Sequence, residues 1–262
     1  MGLMTQKKIT APLVKNNLET RFIGQNLFCY DSISSTMDGA REHALKHAPE
    51  GTAVFAEQQT QGRGRLKREW LTRPGNIAVS IILYPPKSYL NSLIMLSSLA
   101  VKQSIEATTG LSCRLKWPND VLINGKKVCG ILIETKTQIN RMEYAIIGIG
   151  INVNLSIAAH PEIQNTATSL VDELKQPVDR IIFLRRLFRE MEELYTASLE
   201  GETLFPRWRA ALATLGQPVR ARHGDDVYEG TAEDVQTDGS LLLRLADGQR
   251  LRFTVGDVTL RA

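Results

Sequence analysis

An Asn-Gly pair at 124–125, set between the apolar runs 121–123 and 127–135, limits the fold of this chain more than any other feature. The pair tolerates positive φ at both central positions and closes a tight turn, so the runs on either side must pair antiparallel. A further long β-rich run, 144–152, lies downstream, and another at 76–84 is stopped by Pro85-Pro86. Between them Leu93, Leu96, Leu99, Ala100 and Ile105 recur at helical spacing, and Gly110 lies just past the end. The stretch 37–47 also reads as a helix, with N-cap candidates from Asp31 to Thr36, as do 181–199 and a short segment near 205–212. Strands that arrive in hairpin-like pairs, with helices between some of them, predict an α+β fold. It is a mixed β-sheet with helices packed on one face, not a doubly wound parallel sheet.

After Leu215-Gly216 the pattern changes. Short strands at 218–222, 227–235, 240–245 and 249–255 are separated by Asp-Gly and similar turn residues, which predicts a small C-terminal SH3-like β-barrel. The division expected is therefore a lead-in at 1–26, a catalytic domain at 27–214 and the barrel at 215–262. A length of 262 residues has room for all three. The net charge of +4 is too small to argue for nucleic acid, and suits a pocket that holds phosphates. Cys29, Cys113 and Cys129 form no CxxC pair, stand among apolar neighbours and read as buried free thiols of a reducing compartment. No apolar run has the length of a membrane span, and the N-terminus lacks the core of a signal peptide, so the expected location is the cytoplasm.

Three stretches carry chemistry. In the first, Gln58-Gln59-Thr60-Gln61-Gly62-Arg63-Gly64-Arg65-Leu66-Lys67-Arg68-Glu69-Trp70, two glycines free backbone amides to converge on an anion while arginines fork onto oxygen pairs. By composition alone, a solvated loop or a nucleic-acid contact stands level with a phosphate site. The preceding Gln and Thr, and Trp70 as a far anchor, favour a loop that closes over a ligand. The second, Lys116-Trp117-Pro118-Asn119-Asp120, is by itself an ordinary turn. It gains weight from the clustering of Lys116, Asp120, Lys126 and Lys127 around one hairpin, where they suit an anionic substrate or a metal-bound phosphate. In the third, Gly148-Ile149-Gly150-Ile151-Asn152-Val153-Asn154, Val153 stands where a dinucleotide fingerprint needs glycine, so its glycines read as a bulge or a close ligand approach. The chain has no GxxxxGK[ST], HExxH or GxSxG motif.

Together with Ser35-Thr36 and Lys127-Val128-Cys129-Gly130-Ile131-Leu132-Ile133-Glu134, these segments resemble the biotin–protein ligase family in order and spacing, over about 28–155 and weakly to the end. The resemblance implies a class II synthetase-like catalytic domain that activates biotin with ATP as biotinyl-5'-AMP. It then transfers the acyl group to a lysine of a biotin carboxyl carrier protein domain, as in acetyl-CoA carboxylase. It implies that Ser35, Thr36, Met37, Gln59, Arg63, Gly64, Arg65 and Lys127 bind biotin. Arg68, Lys116, Asn119, Asp120, Asn152 and Arg261 would bind ATP, with Lys127, Asp120 and Arg65 catalytic. Mg²⁺ is expected as Mg-ATP, with no fixed protein site. Leu66-Lys67 stand where many relatives carry Arg-Gly, which implies a stiffer loop. Some relatives carry an N-terminal DNA-binding domain. Only 27 residues precede Phe28 here, and three average helices need roughly 35, so neither repression nor DNA binding is expected. No membrane partner is expected, and a homodimer through a sheet edge is left open. A ligase of the same fold acting on lipoate is the nearest rival, but an apolar chain has no use for Ser35, Thr36 and Gln59. A nucleic-acid-binding protein would interleave aromatic and basic residues, which this chain does not.

Overall fold

The computed structural model describes residues 7–65, 68–138, 141–223, 226–254 and 257–260. Seven strands form one mixed sheet: β1 (Leu27–Ile33), β2 (Ala53–Gln59), β3 (Ile77–Leu83), β4 (Arg114–Lys116), β5 (Asp120–Ile123), β6 (Lys126–Gln138) and β7 (Arg141–Ile151). Their order is β1-β2-β3-β7-β6-β5-β4. Only β1 and β2 run parallel; every other pairing is antiparallel. The Asn124-Gly125 turn closes the β5–β6 hairpin, with both residues at positive φ.

Alternation along the strands sorts residues onto two faces. Ala53, Phe55, Val79, Ile81, Ala145, Ile147 and Ile131 face a core filled by α3 (Ser92–Thr109) and α5 (Arg180–Leu199), which contribute Leu96, Leu99, Ile105, Phe183, Leu187 and Phe188. Gly110 ends α3 at φ +74, as its spacing predicts. The second face carries α2 (Thr36–Leu45), which buries Met37, Ala40 and Ala44 against Val54, Ile82 and Ile146. Two short helices, α4 (Leu170–Leu174) and α6 (Phe205–Ala211), flank α5 in sequence.

Sequence reasoning missed β1 and the first helix, α1 (Ala11–Lys15). The lead-in is packed. Ile9, Val14 and Ile23 are buried, and Glu192 of α5 accepts the backbone N–H groups of Arg21, Phe22 and Ile23 at 2.6, 2.9 and 2.9 Å. Gly24, at φ +77, is needed there because the Phe188 ring lies 2.3 Å from where a Cβ would stand.

The C-terminal sheet contains β8 (Pro218–His223), β9 (Asp226–Val235), β10 (Leu241–Leu245), β11 (Arg250–Phe253) and β12 (Asp257–Leu260), ordered β11-β10-β9-β8-β12 and antiparallel throughout. It joins the larger sheet at β4. Ala213 N–H donates to the Leu115 carbonyl at 2.7 Å, Trp117 N–H to Thr214 Oγ1 at 2.9 Å and Trp117 Nε1–H to the Gly239 carbonyl at 2.8 Å. The turn that follows Trp117 supplies part of the cavity wall described next.

Candidate active site

Beside α2, the second face of the sheet opens into a cavity of about 770 Å³. Its floor is almost bare of side chains: Ala78, Gly150 and Gly130 stand side by side on β3, β7 and β6. The start of α2, the β4–β6 hairpins, residues 63–65 and 68–71 and the segment 163–167 wall it in.

One end is polar. Ser35 caps α2, its hydroxyl accepting from Met37 N–H at 3.2 Å. Gln59 Oε1 accepts from Thr36 N–H at 2.8 Å and Thr36 Oγ1–H at 3.1 Å, while its Nε2 donates to Thr72 Oγ1 at 2.8 Å. Ser80 Oγ–H in turn donates to Thr36 Oγ1 at 2.8 Å. Ser35 and Thr36 are buried, so this network fixes rotamers in a site where an unmatched polar ligand would be costly.

The other end is ionic. Lys127 Nζ lies 2.6 Å from Asp120 Oδ1, and Lys116 Nζ lies 3.9 Å from Asp120 Oδ2. The Lys127 backbone is clamped independently of its side chain, its N–H donating to the Thr166 carbonyl and its carbonyl accepting from Thr168 N–H, both at 2.9 Å. Asn119 donates from Nδ2 to the Ile131 carbonyl at 2.6 Å and accepts from Arg65 Nη1 at 3.4 Å. Asn152 donates to the Thr168 carbonyl at 3.1 Å. Among the described lining residues, Arg63, Arg65, Arg68, Lys116 and Lys127 face two carboxylates, Glu69 and Asp120. The cavity therefore favours anionic occupants.

The basic strap folds back on itself: Gly64 N–H donates to the Arg68 carbonyl at 2.7 Å and Trp70 N–H to the Gly62 carbonyl at 2.9 Å. Arg63 forks onto Asp38 of α2, donating from Nη1 at 2.9 Å and Nη2 at 2.6 Å. Those bonds hold the Asp38 carboxyl below its usual range, outweighing partial burial, and raise the guanidinium in return. The indole of Trp70 lies against the floor, with Lys127 Nζ 5.4 Å from its ring centroid. A Cβ on Gly150 would stand 2.3 Å from the indole, and one on Gly148 would stand 2.5 Å from Met37 Sδ. The glycines at 148 and 150, expected to admit a ligand or mark a bulge, thus make room for protein side chains.

Every described residue to which the family resemblance assigns a role lines this one cavity: Ser35, Thr36, Met37, Gln59, Arg63, Gly64, Arg65, Arg68, Lys116, Asn119, Asp120, Lys127 and Asn152. Lys126, read as part of the same cluster, stays outside and donates to the Gln164 carbonyl at 3.2 Å. Arg261 and the Leu66-Lys67 departure lie outside the described residues. Asn154 does not join Asn152 in the cavity lining. Strand β7 ends at Ile151, and Asn154 instead exchanges two hydrogen bonds of 2.9 Å with the Val178 backbone. Ile163, Asn165, Thr166 and Ala167 were missed, because a polar stretch without periodicity gives no sign that its backbone will clamp Lys127. Among the described residues no group of three or more His, Cys, Asp or Glu side chains could hold a metal ion.

Comparison with known proteins agrees with this geometry. Residues 29–152 match the family model described as the Biotin/lipoate A/B protein ligase family, and residues 214–261 match the Biotin protein ligase C terminal domain. The chain is 38% identical to the bifunctional ligase/repressor BirA of Bacillus spizizenii, covering 92% of this chain and 76% of that protein. It is 34% identical to the biotin–[acetyl-CoA-carboxylase] ligase of Paracoccus denitrificans, covering 82% and 94% of the two chains. Among solved structures, the biotin protein ligase of Aquifex aeolicus in complex with biotin and ATP superposes with a TM-score of 0.77 at 30% identity, over 90% of this chain and 99% of that one.

Proposed function

This chain belongs to the biotin protein ligase family, an enzyme family of ligases, and from that premise we propose how its cavity performs the reaction. The observation that carries the reading is that the Ser35–Thr36–Gln59 network and the Lys127–Asp120 pair stand at two ends of one cavity under the basic strap.

Biotin lies with its ureido ring at the polar end. Ser35 already accepts from Met37 N–H, so its own proton is available for the ureido carbonyl. The second lone pair of Thr36 Oγ1 suits a ureido N–H. The valeryl chain runs along the cavity past the Trp70 indole and brings the carboxylate to Lys127. ATP takes the ionic end, with Arg68, Lys116, Asn119, Asp120 and Asn152 around it. A carboxylate oxygen then attacks the α-phosphorus and pyrophosphate leaves, giving biotinyl-5'-AMP. Two anions must meet for this, and Lys127, Arg65 and Lys116 offset the repulsion, so the acceleration is electrostatic and positional. Mg²⁺ would come with the ATP and supply further charge neutralisation. Asp120 and Asn119 would hold such an ion, each through an oxygen, alongside the phosphates. The mixed anhydride is water-labile, and the strap excludes water until an acceptor amine attacks the acyl carbon and AMP leaves.

The acceptor is a lysine of a biotin carboxyl carrier domain, in keeping with the acceptor in the name of the Paracoccus relative. The match of residues 214–261 to a separate C-terminal family supports a division of the chain near 215. The cytoplasm is the proposed location. Its support is that the three cysteines are unpaired, with Cys113 and Cys129 buried and Cys29 part-buried. No helix among the described residues is long and apolar enough to cross a membrane.

The test is pyrophosphate release from ATP with biotin, lipoate and octanoate in parallel. Release with biotin and background rates with the other two acids are expected. Release with lipoate but not biotin would overturn the ureido assignment.

A further inference from the structure

We propose that Asp38 is a positioning residue that seats the glycine–arginine strap over the cavity, acting through Arg63, and that Arg63 is committed to this fork and not to substrate charge. The consequence for catalysis rests on the ligase reading above; the structural half does not.

The geometry is that of a fastener. Arg63 meets both oxygens of Asp38 at 2.6 and 2.9 Å, the two-point fit that a planar guanidinium makes with a carboxylate. Asp38 is held from the other side. Arg41 donates to Asp38 Oδ1 at 2.6 Å and is itself paired with Glu134 of β6. An unbroken chain of ion pairs therefore runs from the sheet, through α2, to the strap. Its placement matters for the reaction because Asp38 lies in the first turn of α2, directly after Ser35, Thr36 and Met37. The fork fixes the strap to the segment that carries the polar end of the cavity. Two residues further on, Arg65 reaches Asn119 on the opposite wall, so the strap crosses the opening from one wall to the other. Asp38 and Arg63 side chains are 26% and 38% exposed, which puts the fork at the rim, where it can be cut without opening the core.

The test uses the full-length chain without ligands. Trypsin cleavage after Arg65, Lys67 and Arg68 reads strap opening, since a protease samples the open population. Asp38→Asn and Arg63→Ala are each expected to raise the cleavage rate on the order of threefold to tenfold, the size for a forked but half-exposed pair. The double variant should cleave no faster than the quicker single one, because both changes break the same contact. Asp38→Glu should keep most of the protection. In turnover assays the singles should raise KM for biotin by the same factor, with kcat within about twofold and an unchanged thermal midpoint. Wild-type cleavage in Asp38→Asn, additive effects in the double variant, or a loss of kcat in Arg63→Ala at unchanged KM would each overturn the proposal. If no acid is activated at all, the ligase reading fails while the cleavage series still decides whether Asp38 holds the strap.

Discussion

Lys127 is positioned twice over, its backbone clamped by Thr166 and Thr168 and its ammonium 2.6 Å from Asp120. Because the clamp does not involve the side chain, Lys127→Ala should leave the fold and the thermal midpoint as they are. Pyrophosphate release should fall on the order of a hundredfold to a thousandfold, the usual loss for a group that meets developing charge. Wild-type turnover in this variant would remove the role assigned to it. Gly150 makes a sharper test of the floor. A methyl group there would stand 2.3 Å from the Trp70 indole, a rigid ring that has to move bodily. Trp117 and Trp208 are buried elsewhere, so Gly150→Ala should shift the tryptophan emission through Trp70 alone and weaken biotin binding by about tenfold or more, a loss of about 1.4 kcal/mol. An unshifted emission spectrum with full affinity would show that the indole does not rest on this glycine.

At the scale of elements, the hairpin around Asn124-Gly125 was fully legible, because turn chemistry and apolar runs point the same way there. So was α3, whose spacing and terminal glycine agree. What was not legible depends on distant partners. Strand β1 mixes Phe28, Cys29 and Tyr30 with a polar run that equally reads as an N-cap, and only pairing with β2 decides between the two. Helix α1 has five residues, fewer than two turns, and its support is tertiary. Arg185 of α5 supplies it, donating to the Val14 and Leu13 carbonyls at 3.0 and 2.5 Å, and the rest of the lead-in hangs on Glu192, buried and accepting three successive backbone N–H groups. Glu192→Ala is expected to cost about 2–4 kcal/mol, since buried donors are left without partners, and to expose residues 7–26 to proteolysis first. Unfolding in urea at the parent midpoint would show that the lead-in is held in some other way. In the site the same division holds: the basic residues of 63–68 and the cluster of Lys116, Asp120 and Lys127 announced a ligand, whereas the segment 163–167 carries no pattern of its own.

Across the whole molecule, the cavity lies where chain segments far apart in sequence meet, and the C-terminal sheet takes part in its support. Trp117 stands between cavity residues Lys116 and Asn119 and donates to Gly239, in the turn between β9 and β10. The turn that carries Asn119 and Asp120 is thereby braced from outside the catalytic sheet. A change of Trp117 to Phe keeps the packing and removes the N–H. It should raise KM for ATP several-fold and leave KM for biotin unchanged, and equal changes in both would speak for general loosening. All of this presupposes that one enclosed space adenylates biotin and passes it on. The direct measurement is transfer of labelled biotin to a purified carrier domain, run with and without ATP. The account predicts label on the carrier's lysine only when ATP is present, with one AMP released per biotin attached. An unlabelled carrier in the presence of ATP, from folded protein shown to bind biotin, would contradict it.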